Sequence, residues 1–150
     1  QNKTALTDSD YLDAYPRFSP DGNLLAFTST RSGNFDIYRM SADGSSMLQL
    51  TDHTGIDTRP AWSPNGLKIA YTSLINGDYE IFVMDADGSH QKQITSNPGK
   101  DDFACWHPDG KQIFHVSEVK GKIDIYSTSV EDIFDDLAKW IIAADAGSVW

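Results

Sequence analysis

Lys68-Ile69-Ala70-Tyr71-Thr72-Ser73 alternates polar and apolar side chains, and this two-residue period predicts a half-buried strand. Ahead of it, Arg59-Pro60-Ala61-Trp62 forms a short segment that runs into Ser63-Pro64-Asn65-Gly66. Proline presets φ for the first turn position, and Asn-Gly tolerates positive φ, so a tight reversal is expected there. Asn76-Gly77-Asp78 makes the next turn. Tyr79-Glu80-Ile81-Phe82-Val83-Met84 reads as a strand that is apolar or aromatic except for Glu80. Asp85-Ala86-Asp87-Gly88-Ser89 turns the chain again, and Gln91-Lys92-Gln93-Ile94-Thr95 reads as a polar outer strand. Four short strands joined by Asp/Asn-Gly turns form one antiparallel unit.

The unit recurs every 44 residues. Ser19-Pro20-Asp21-Gly22 returns as Ser63-Pro64-Asn65-Gly66 and as His107-Pro108-Asp109-Gly110. Asp36-Ile37-Tyr38 returns as Glu80-Ile81-Phe82 and Asp124-Ile125-Tyr126, and Leu6-Thr7 as Leu50-Thr51 and Ile94-Thr95. A fixed period of about 40–45 residues is the length of one four-stranded propeller blade. Phe18, Trp62 and Trp106 share one repeat position, and Phe27, Tyr71 and Phe114 another, as expected of layers between neighbouring blades.

These motifs resemble the TolB-type β-propeller repeat. Its pattern is roughly Asp-x-x-Pro-x-Trp-Ser-Pro-Asp-Gly, an Ile-Ala-Phe-x-Ser strand, Asp-Ile-Tyr and a closing Leu-Thr. Pro16-Arg17-Phe18-Ser19-Pro20-Asp21-Gly22, Leu25-Ala26-Phe27-Thr28-Ser29, Asp36-Ile37-Tyr38, Asp43-Gly44 and Leu50-Thr51 follow it. The match covers about residues 2–128 and weakens in the third repeat, where His107, Ala104 and Val116 replace Ser, Pro and Thr. The resemblance implies a WD-repeat-like propeller in a periplasmic or extracellular setting, which binds proteins or serves as an accessory module. The same repeat occurs beside peptidases and in some polysaccharide lyases.

The strand count is uneven. Residues 2–7 align with a fourth strand, blades follow at about 14–51 and 58–95, and the third repeat, 102–128, shows only three strands. After it the period changes. Val130, Ile133, Phe134, Leu137, Trp140, Ile141 and Ala144 follow helical spacing, with Ser129 as N-cap, acidic Glu131 and Asp132 in the first turn and Gly147 as terminator. An amphipathic helix over about 130–146 within a tail of 130–150 is therefore expected, burying Phe134, Leu137, Trp140 and Ile141. The fold class is all-β: three four-stranded blades, half of a six-bladed propeller, plus this helix. Three blades are too few for a ring, since propellers hold about four to eight. Closure is expected through a homodimer in which residues 3–7 of one copy pair beside residues 122–128 of the other. A fragment of a longer six-bladed chain is the alternative.

A net charge of −10 opposes nucleic-acid binding, which rests on Lys and Arg neutralising phosphates, and suits cationic, neutral or metal-ion partners. No apolar run approaches the ~20 residues of a membrane span, and none of these residues is expected to form a signal peptide, which in an exported protein would already have been cleaved. The one cysteine, Cys105, is expected to be a small buried residue. There is no Gly-x-Ser-x-Gly elbow, phosphate loop or His-Glu-x-x-His. His53, His90, His107 and His115 are scattered without metal-ligand spacing, and Asp85-x-Asp87-Gly88 lacks the later ligands of a calcium loop. Asp13, Asp57 and Asp101 share one repeat position just ahead of the innermost strand. At a channel mouth they would hold Ca2+ or another divalent cation; otherwise each caps its loop through backbone N–H groups. The expected function is a non-enzymatic binding or assembly module that holds a protein or small ligand at the channel mouth and loop face. The alternative is the propeller of a lyase- or peptidase-linked protein with a channel-bound cation.

Overall fold

The computed structural model describes residues 2–133. The first blade holds β1 (Asp13–Phe18), β2 (Leu24–Ser29), β3 (Asp36–Ser41) and β4 (Leu48–Gln49). The second holds β5 (Ile56–Trp62), β6 (Lys68–Ile75), β7 (Asp78–Asp85) and β8 (Lys92–Gln93). The third holds β9 (Asp101–Trp106), β10 (Gln112–Val119) and β11 (Lys122–Ser129). Within each sheet the strands lie in sequence order and pair antiparallel. Among the described residues these are propeller blades, two of four strands and one of three.

The turns form as their residues dictate. Gly22 N donates to Ser19 O at 2.9 Å with φ of 75°, while Asp21 Oδ1 accepts from Ser19 Oγ at 2.6 Å and Asn23 N at 3.0 Å. Asn65 plays the same part for Ser63 and Leu67. In the third repeat the His107 ring replaces the serine hydroxyl and accepts from Asp109 N at 3.3 Å.

The outer strands are shorter than the sequence predicts. The closing Leu-Thr motif explains why. Thr51 Oγ1 accepts the Ile37 N–H at 2.9 Å, and Thr95 Oγ1 accepts that of Ile81 at 2.9 Å. A side-chain hydroxyl thus takes a ladder position from the backbone, and regular pairing stops there. The residue before each threonine crosses to the next blade, where Leu50 O would lie 2.8 Å from a Cβ on Gly88. Leu6 O lies the same way against Gly44, at 2.9 Å. Residues 6 and 7 therefore cover the first blade as Leu50 and Thr51 cover the second.

The core lies between blades. Ala26, Ile37, Leu50, Ile69, Tyr71 and Met84 fill the first junction, with Trp62 and Phe82 against them. Ala70, Ile81, Val83, Ile113 and Val130 fill the second, joined by Ile94, Trp106 and Ile133. Trp62 Nε1 donates to Arg17 O at 2.9 Å and Trp106 Nε1 to Ala61 O at 3.0 Å, so each indole is tied to the preceding blade. Phe18, at the same repeat position on the first blade, is 60% exposed. At the other end Ile125 is 77% exposed, although its counterparts Ile37 and Ile81 are fully buried.

Cys105 is exposed rather than buried. It sits on the innermost strand of the third blade and lines the concave pocket described below, a position that strand-like composition does not distinguish from core. Residues 131–133 are helical, and Glu131 N lies 3.5 Å from Ser129 Oγ. The rest of the expected helix, with Phe134, Leu137, Trp140 and Ile141, falls outside the described residues. Among the described residues no helix is long and apolar enough to cross a membrane.

Candidate functional site

The innermost strands β1, β5 and β9 each carry a β-bulge. Register against the next strand slips between Ala14 and Arg17, between Thr58 and Ala61, and opposite Phe114 and Val116. A bulge adds one residue, bends the strand and re-aims a side chain. The extra residues are Tyr15, Arg59 and Phe103, with φ of 54°, 54° and 58°. Bulky side chains rarely adopt this left-handed conformation, which costs about 1–3 kcal/mol where the surroundings enforce it. Its recurrence at one position of all three repeats shows that the scaffold imposes it.

The three bulged side chains meet. The Arg59 guanidinium carbon lies 5.1 Å from the Tyr15 ring centroid and 4.5 Å from that of Phe103, a cation–π sandwich. Arg59 Nη1 reaches Asp102 Oδ2 at 2.9 Å. Asp102 is itself fixed, accepting from Thr72 Oγ1 at 2.8 Å and Phe103 N at 2.7 Å. The backbone N–H of Arg59 points to Thr28 Oγ1 at 3.3 Å. Arg59 therefore ties all three blades, and its buried Nε has no hydrogen-bond partner among the described residues. Tyr15, Arg59 and Phe103 border a concave pocket of about 540 Å³ that also takes in Phe18, Trp62 and Trp106. Phe103 is 59% exposed and Tyr15 41% exposed, so both rings present free faces. The pocket offers stacking surfaces around a cation held in place.

Asp13, Asp57 and Asp101 lie within the innermost strands, each beside its own partner. Asp13 Oδ1 is 3.0 Å from Arg31 Nη2, with 16% of the aspartate side chain exposed. Burial alone would raise this carboxyl, but hydrogen bonds from Ser29, Arg31 and Thr7 and the Arg31 charge outweigh it and hold it below the ordinary aspartate range. Asp57 is fully buried, with His53 Nε2 at 2.8 Å from Oδ2. Burial raises its pKa, and nearby Asp36 adds to the rise against the opposing effect of Ser73, Thr51 and His53. Asp101 is fully buried, 3.6 Å from His115 Nδ1. Among the described residues no group of three or more His, Cys, Asp or Glu side chains is placed to hold a metal ion. Asp85-x-Asp87-Gly88 forms a turn in which Asp87 accepts from Ser89 N at 3.0 Å. Sequence reasoning missed the sandwich, because Arg59 stands between two aromatics and so hides the repeat position they share.

Blades with bulged inner strands define a β-propeller, here with a concave aromatic face along those strands. The chain belongs to the TolB beta propeller domain family, whose family model matches residues 1–78 and again 60–136. It is 44% identical over 43 residues to the Tol-Pal system protein TolB of Bordetella pertussis, a stretch covering 29% of this chain and 10% of that protein. The structure of TolB from Acinetobacter baumannii superposes with a TM-score of 0.75 at 26% identity, covering 85% of this chain and 32% of that one. A TolB-like structure from Agrobacterium tumefaciens gives 0.69 at 27% identity, covering 76% and 41%. The chain thus spans well under half the length of these relatives. An oligogalacturonate lyase from Vibrio parahaemolyticus shares the fold, with a TM-score of 0.62 at 21% identity over 77% of this chain and 32% of that one.

Proposed function

We propose that this chain is a non-enzymatic protein-binding module that grips an extended peptide segment on the concave face of β1, β5 and β9. The observation that carries this reading is the set of three strained residues, Tyr15, Arg59 and Phe103, brought together on one pocket. Strain that recurs at a concave surface marks function more readily than stability. The exposed rings provide stacking area, and the guanidinium provides an oriented positive point in a chain of net charge −10. The family fits this role, as its relatives are named as components of the Tol-Pal system, and it suggests a periplasmic setting.

The test is a display selection with random peptides, followed by fluorescence anisotropy on the synthesised binders. Phe103→Gly should weaken binding by about 30-fold, the loss of a hot spot of ~2 kcal/mol. Stability should stay within about 1 kcal/mol of the parent, because relief of the positive φ offsets the lost cation–π contact. Peptides that bind this variant and the parent equally would place the site elsewhere.

A second copy is proposed to close the ring at six blades. Support comes from the three strands described in the third sheet, the exposed Ile123, Ile125 and Tyr126 on β11, and Leu6 lying against Gly44, although residues 2–7 form no strand of their own. A calcium titration decides the cation expected at Asp13, Asp57 and Asp101, since a bound ion raises the melting temperature with concentration.

A further inference from the structure

Asparagine precedes glycine twice in this chain, at Asn65-Gly66 and at Asn76-Gly77. Such a pair can rearrange without an enzyme. The glycine backbone nitrogen loses its proton and attacks the asparagine Cγ, the side-chain nitrogen leaves as ammonia, and a five-membered succinimide forms. Water then opens one of the two ring carbonyls, giving an aspartyl residue or an isoaspartyl residue whose main chain runs through the former side chain. Glycine favours the attack because it carries no Cβ and its backbone is permissive. A folded protein permits the step only where the amide is loose and the glycine N–H is unbound.

The fold denies both conditions to Asn65. Its Oδ1 accepts from Ser63 Oγ at 2.7 Å and from Leu67 N at 3.0 Å, while Gly66 N donates to Ser63 O at 2.9 Å. Asp21 and Asp109 stand at this repeat position, and Asp21 accepts from Ser19 and Asn23 in the same way. Asn65 therefore acts as an aspartate would, with its carbonyl locked in the turn.

Asn76 has the opposite surroundings. Asn76 and Gly77 alone join β6 to β7, with Ile75 paired to Asp78. Their φ values of 53° and 86° are both positive, as a type I′ turn requires. Both residues are exposed, and neither the Asn76 side chain nor the Gly77 N–H has a hydrogen-bond partner among the described residues. A Cβ on Gly77 would meet nothing within 4 Å. Elsewhere the requirements fail. Asn34 Nδ2 is clamped by His53 O and Gly55 O at 3.0 and 2.6 Å, and Asn97 precedes a proline, which has no N–H.

We propose that Asn76 is a site of spontaneous deamidation, at which the folded protein acquires a negative charge while Asn65 is shielded. The change falls where it can alter recognition. Asn76 and Gly77 line two neighbouring clefts, one with His53 and Ile56, the other with Lys100 and Lys120. The aspartyl form brings a carboxylate to a rim that carries two lysines. The isoaspartyl form adds a main-chain atom to a two-residue turn and so disturbs the pairing of Ile75 with Asp78.

Peptide mapping by mass spectrometry tests this on the 150-residue chain aged in mildly alkaline buffer. Trypsin cleaves after Lys68, which places the two sites in separate peptides. In the folded protein, conversion of amide to carboxyl at Asn76 should run at least about tenfold faster than at Asn65, whose three hydrogen bonds must first break. In urea the two rates should converge, because both sites are then plain Asn-Gly. Asn76→Lys should abolish the acidic species seen on ion exchange and keep the parent's melting temperature. The third blade already carries Lys120-Gly121 in the equivalent turn, with φ of 52° and 77°. Equal rates at the two sites in the folded chain, faster conversion at Asn65, or conversion only in urea would each overturn the proposal.

Discussion

Replacing Ile81 by alanine is expected to destabilise the fold by about 2–5 kcal/mol, the range for deleting a buried aliphatic side chain in a core that cannot collapse around the cavity. Ile81 is fully buried on β7, among Ala70, Val83, Ile113 and Val130. Its backbone is tied as well, with N–H to Thr95 Oγ1 at 2.9 Å and its carbonyl accepting from Ile94 N at 2.7 Å. The same substitution at Ile125, one repeat later and 77% exposed, should change folding stability by no more than about 0.5 kcal/mol. Instead it should weaken self-association. Urea denaturation of both variants checks the contrast, and similar losses at the two positions would show that the third blade's edge is covered within one chain.

Glu80→Gln is expected to raise the melting temperature at neutral pH, an unusual direction for a buried position. Burial pushes the Glu80 carboxyl above its ordinary 4.5, and the Asp101 and Asp78 charges push it further, against the lowering effect of the Thr95 hydrogen bond. The folded state therefore holds this proton more tightly than the unfolded chain does. The contribution is full below the ordinary value and is lost as pH rises through the raised one. Asp57, raised chiefly by burial, acts in the same direction. Glutamine keeps an acceptor for Thr95 and presents an amide to Asp101 without a charge to desolvate. Its advantage should be largest near pH 8 and shrink toward pH 4. A deficit of equal size at every pH would mean that packing, not ionisation, governs the position.

The architecture was legible because each blade repeats the same turn chemistry. The Ser-Pro-Asp/Asn-Gly turns and the Asp-Ile-Tyr strands occupy the elements their residues predict. The length of the fourth strands was not legible, since the Thr51 and Thr95 hydroxyls replace backbone acceptors, which propensity does not register. The site was hidden for a related reason. A bulge at a glycine would have left a mark, but Tyr15, Arg59 and Phe103 adopt positive φ with no compositional sign of it. Asp13, Asp57 and Asp101 were visible as a recurring acid, yet their destinations depend on what each neighbouring blade supplies. Arg31 meets Asp13, His53 meets Asp57, and His115 lies beside Asp101.

Native mass spectrometry across a dilution series tests the proposal that a second copy closes the three blades into a ring. The predicted species has about twice the 16.6 kDa mass of the chain and gives way to the single chain only on dilution. A species of 16.6 kDa alone at every concentration, with native charge states, would contradict it.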